Sequence, residues 1–152
     1  MKTVSSVLAA ILISLTIIAS SAIAGPATDA LTTCMTDNTT GKDRKDMARW
    51  IFGIMSVHPE ILRLSNVSET DRDQLDRILA DMATRLLTEN CKEQTKIAME
   101  KEGSETPLKT AFGVMGKLAM QELMANPEVS SASSNFAKYL DVNKITSAFS
   151  KE

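Results

Sequence analysis

The stretch 68-SETDRDQLDRILADMATRL-86 decides the fold class. Leu75, Ile78, Leu79, Met82 and Leu86 recur at three- and four-residue intervals, which places them on one stripe of an α-helix. Asp73 with Arg77, and Asp81 with Arg85, stand four residues apart on the outer side, where such pairs support a helix. Ser68 is an N-cap residue type. The helix is expected to bend near Glu89-Asn90, continue through Cys91 and Ile97 to about residue 101, and close at Gly103, a residue favoured just past a helix end.

The same periodicity continues on both sides. Upstream, residues 28–36 form a short helix carrying Leu31, Cys34 and Met35, followed by the polar turn Asp37-Asn38-Thr39-Thr40-Gly41. Thr40, with Asp43 three residues on, is expected to cap a second helix running to about Val57. Its stripe is Met47, Trp50, Ile51, Ile54, Met55 and His58, and Pro59 ends it by disfavouring helical geometry at the residue before it. Downstream, Thr106-Pro107 restarts the helix, because proline near a helix start sacrifices no needed hydrogen bond. Leu108, Ala111, Phe112, Met115, Leu118, Ala119 and Leu123 make its buried stripe. Gly113 and Gly116 leave room for another helix at some cost in propensity. Asn126-Pro127 stops this helix, residues 129–134 read as a Ser-rich loop, Phe136 and Leu140 form a short apolar face, Asp141 caps a last turn, and Ile145 and Phe149 dock the C-terminus. No alternating β pattern occurs. The expectation is an all-α fold, a small bundle of four to five helices.

Residues 1–24 have the composition of a cleavable secretory signal. Lys2 supplies the positive start, residues 7–19 are almost unbrokenly apolar, and Ala22-Ile23-Ala24 offers small residues at a cleavage site, so the mature chain is expected to begin at Gly25. The apolar run is shorter than the roughly 20 residues of a membrane-spanning helix, so no membrane insertion is expected after cleavage. Residues 25–152 then form a single helical domain. Loss of Lys2, the one charged side chain of the signal, takes the formal charge from -2 to -3. Charges of both signs are interspersed, without the basic patch that nucleic acid requires. Two cysteines in an exported chain imply one disulfide, Cys34 to Cys91, closing a loop of 57 residues. Localisation is expected to be periplasmic or secreted.

Motifs for chemistry are weak. Nucleophilic hydrolysis needs a base beside a nucleophile, and the single histidine, His58, stands at a helix end before a proline. One histidine and two distant cysteines do not make a zinc site. The turn at residues 37–41 places its glycine one position too early for a calcium loop. Asp71, Asp73 and Asp76 suit a helix start. Gly41-Lys42 lacks the earlier glycine and the hydroxyl residue of a phosphate loop. Asn38-Thr39-Thr40 and Asn66-Val67-Ser68 match the glycosylation acceptor pattern. No catalytic residue, metal or cofactor is therefore assigned.

Methionine is the remaining signal. Thioethers fill irregular cores, and they also line surfaces that accept varied apolar partners. Met120 and Met124 lie one turn apart at the edge of their stripe, and Met115, Met120, Met124 and Trp50 are the candidate lining of a binding groove. The leading functional expectation is a non-catalytic binding or interaction module for a protein segment or an apolar small molecule. The alternatives are an enzyme using His58 and nearby acids, and a structural subunit forming homo-oligomers through its Met and Gly faces.

Overall fold

A computed structural model describes residues 25–150; the expected signal, residues 1–24, lies outside the described residues. Among these the chain is helical throughout and contains no strand. The elements are α1 (Pro26–Asp37), α2 (Gly41–Met55), the single turn α3 (Pro59–Leu62), α4 (Glu69–Arg85), α5 (Lys92–Glu102), α6 (Glu105–Met124), α7 (Pro127–Ser134) and α8 (Val142–Phe149). A π-helical turn, Leu86–Asn90, joins α4 to α5, and a 3-10 turn, Asn135–Tyr139, joins α7 to α8. The all-α expectation holds, but eight helices exceed the four to five expected. The surplus consists of α3, the division of one long helix into α4 and α5, and the two C-terminal helices.

Local chemistry sets the helix starts. Thr40 and Ser68 each form a capping box: the hydroxyl accepts from the backbone N–H of Asp43 or Asp71, and that carboxylate accepts from the cap residue's own N–H. At Asp43, burial pushes the carboxyl up, but hydrogen bonds from the backbone and hydroxyl of Thr40 and from Arg85 outweigh it and hold it below the ordinary range. Asp71 is held low by the Ser68 hydroxyl and N–H. Asn126 caps α7 by accepting from the N–H groups of Glu128 and Val129, with Pro127 in the first turn. Residues 129–134 are therefore helix and not loop, because Asn-Pro both ends α6 and starts α7.

Helix α6 packs on α1 and α2, α4 packs on α2, and α5 packs on α1. Leu31, Met35, Leu86 and Met115 are fully buried where these helices meet, with Met47, Met82, Ala111 and Ala119 around them. The π turn redirects the chain, so α4 and α5 serve different neighbours. Cys34 and Cys91 form a disulfide across this junction, with Cα atoms 5.9 Å apart. Arg85 donates to Asp43, 2.9 Å away on α2, and to Asn90; the expected intrahelical partner Asp81 is passed over for this interhelical bond. Asp73 and Arg77 do pair, at 3.1 Å.

The start of α1 is capped from a distance. Gly25 offers no side chain, and the Glu102 carboxylate at the end of α5 accepts from the N–H groups of Ala27 (2.9 Å) and Thr28 (3.0 Å) and from the buried Thr28 hydroxyl. A methyl group on Gly25 would overlap that carboxylate. The Thr28 hydroxyl outweighs the opposing desolvation and, with the N–H donors of Ala27, Thr28 and Gly25, holds Glu102 below its ordinary value.

Beyond Leu123 every described residue is exposed. Helix α7 touches the end of α6, and α8 docks on no bundle helix. Ile145 and Phe149, expected to anchor the C-terminus, are exposed, Phe149 to 83%. Their faces on α8 have the right spacing, but no bundle surface lies against them.

Candidate functional site

Helix spacing places Met47, Trp50 and Ile51 on one side of α2. They line an apolar groove with Leu79, Ala80 and Ala83 of α4 and Phe112 and Gly116 of α6, about 420 Å³ in volume. The groove exists because side chains at three positions of its wall, two on α4 and one on α6, are small or absent. Ala80 and Ala83 keep the α4 wall low, and nothing lies within 4 Å of where a Cβ of Gly116 would stand. The backbone of α6 is thus open to close approach from outside.

Trp50 closes one end. Its indole N–H donates to Asp76 Oδ1 at 2.8 Å, satisfying the donor that a half-buried tryptophan carries. Both residues also line an adjoining cleft of about 360 Å³ with Gly53 and Ile54 of α2, Val57 just past its end, and Glu69, Arg72, Asp73 and Leu75 of α4. Glu69, Asp73 and Asp76 outnumber Arg72 and the Arg77 that pairs with Asp73, so that end is mildly acidic, while the groove proper is apolar.

The sequence candidates distribute unevenly. Trp50 lines the groove. Met115 is 1% exposed and belongs to the core. Met120 and Met124 are 45% and 48% exposed and continue, at four-residue spacing, the ridge that begins with Phe112 and Gly116, without lining the groove themselves. Phe112, Gly116 and Asp76 complete the site. Asp76 was read only as an acid suited to a helix start, and its indole partner comes from another helix 26 residues away.

His58 is exposed and caps α3, its Nδ1 accepting from the Glu60 N–H at 3.2 Å; it lines neither cleft beside Trp50. Asp71 is engaged by Ser68, Asp73 by Arg77 and Asp76 by Trp50. Among the described residues no three His, Cys, Asp or Glu side chains cluster to hold a metal ion, and no helix is long and apolar enough to cross a membrane.

The chain matches no protein-family model, no curated protein and no solved structure. The reading of the groove therefore rests on its own geometry.

Proposed function

We propose that this is an exported, non-catalytic binding module that takes an amphipathic helical segment of another protein into the groove between α2, α4 and α6. The observation that carries the reading is an open apolar channel whose wall includes Ala80, Ala83 and Gly116. Small residues let a second helix come close, and an apolar helix face laid in such a groove is a recurring recognition mode. The acidic end at Glu69, Asp73 and Asp76 favours a segment with a basic residue beside its apolar face. Export is supported by the signal-like residues 1–24 together with the Cys34–Cys91 bridge, which persists in oxidising compartments.

Trp50 is the only tryptophan in the chain, so its fluorescence reports on this groove and its acidic end. Titration with a synthetic Leu- and Lys-rich amphipathic helix is expected to shift Trp50 emission to shorter wavelength in a saturable way. Gly116→Leu, whose Cβ meets no atom within 4 Å and whose side chain projects from the groove wall, is expected to abolish the shift while the protein stays folded. An unchanged emission, or an equal response in Gly116→Leu, would rule out this groove as the binding site. Mass analysis of the protein recovered from its host is expected to show Gly25 as its first residue.

A further inference from the structure

Another side of α2 carries a second apolar groove, which shares no residue with the groove beside Trp50 and only Leu75 with its acidic end. Ala48 and Phe52 of α2, Leu75 and Ile78 of α4, and Leu123 of α6 line a groove of about 540 Å³, and Phe52 in it is 53% exposed. Through Ala48, Arg49 and Leu123 this groove continues into a cleft of about 400 Å³ that ends at Asn126 and Val129. Its mouth is the point where the C-terminal arm leaves the bundle.

The arm is what an unfilled groove of this kind would take. Helix α8 has eight residues, too few to hold a helix in water unaided. Val142, Ile145 and Phe149 form one apolar face at three- and four-residue spacing, preceded by Phe136 and Tyr139, all exposed. The three aromatic side chains alone expose roughly 400 Å² per chain. Two arms, together with the groove surfaces they would cover, exceed the about 1,200 Å² at the lower end of stable interfaces. Asn126 caps α7 and Pro127 fixes φ at its start, so the arm leaves the bundle in a set direction, and in that direction α8 packs on no helix of its own bundle.

We propose that the chain forms a two-fold dimer by exchanging arms, each α8 seated in the α2–α4 groove of the other copy. The interface is isologous, because arm and groove occur once in each chain and the exchange closes. It goes beyond the binding reading above and uses a groove other than the one beside Trp50, so either can fail alone.

The test is sedimentation analysis of residues 25–152 and two full-length variants, Ile145→Asp with Phe149→Asp in the arm and Phe52→Glu in the groove. All these side chains are exposed, so thermal melting is expected to show every variant folded. The parent is expected to be a dimer. Each variant alone is expected to dissociate more readily by on the order of thirtyfold or more, as loss of a central anchor does. Mixing the two variants leaves one intact arm for one intact groove, so one-to-one pairing is expected to be stronger than self-association of either variant and weaker than in the parent. A parent that stays monomeric at all concentrations, a dimer insensitive to the arm substitutions, or a mixture that fails to pair would each overturn the exchange.

Discussion

Residues 26–124 and residues 127–149 are built from the same kind of helix, with the same capping chemistry, yet they differ in what holds them. In the first region Leu31, Met35, Leu86 and Met115 disappear from solvent, and a disulfide and a cross-chain carboxylate cap fasten the ends. In the second, Asn126 and Asp141 cap their helices correctly, but no side chain is buried. Local signals are enough to start a helix. Keeping it needs a surface to cover, and here that surface must come from outside the chain's own bundle.

The largest way to break this contrast is to cut the bundle's staple. Reducing the bridge, or replacing Cys34 and Cys91 with Ala, is expected to lower bundle stability by on the order of 4 kcal/mol, because a 57-residue loop is released in the unfolded chain. Denaturant unfolding followed by circular dichroism measures it. Next comes a paired truncation. Leu31→Ala is expected to cost about 3 kcal/mol, since it leaves a cavity among fully buried neighbours. Phe149→Ala at concentrations too low for association is expected to cost less than about 0.5 kcal/mol. Equal costs would show that the arm is packed.

Acid sharpens the same comparison. Asp43, Asp71 and Glu102 are all held below their ordinary values in the folded bundle. Their contribution is therefore complete above the unfolded carboxylate range, and it is lost as pH falls below about 4 through the lowered folded values. Thermal stability is expected to be flat near neutrality and to fall below that pH. Asp43→Asn is expected to flatten part of the fall.

Two smaller effects probe surfaces inside the bundle. Gly116→Ala is expected to stabilise by about 0.5–1 kcal/mol, because it gains helix propensity and meets no atom within 4 Å. Thr95→Val is expected to be neutral or stabilising by a few tenths of a kcal/mol, as the buried Thr95 hydroxyl has no hydrogen-bond partner. Both are read from melting curves.

What the sequence made legible was local. The capping boxes at Thr40 and Ser68 lie within four residues, the stripe from Leu75 to Leu86 is regular, and two cysteines allow one pairing. What stayed hidden depends on contacts between distant segments. Glu102 caps a helix that starts 75 residues earlier, Arg85 prefers Asp43 to its own helix, and Asp76 holds Trp50. On α6 the stripe puts Met115 inside and Met120 and Met124 at its edge, but the three do not join as one groove lining, because Met115 is buried in the core while the other two are exposed. At the C-terminus, Ile145 and Phe149 have the periodicity of docking residues, and periodicity alone does not say that a partner surface is within reach.

Amide hydrogen exchange on dilute and concentrated samples of residues 25–152 tests whether the C-terminal arm is held by its own bundle or by a second copy. The expected result is strong protection in α1, α2, α4 and α6 at both concentrations, with protection in residues 127–149 appearing only on concentration. An arm protected as strongly as the bundle in the dilute sample would contradict the exchange, because the arm would then be held by its own chain.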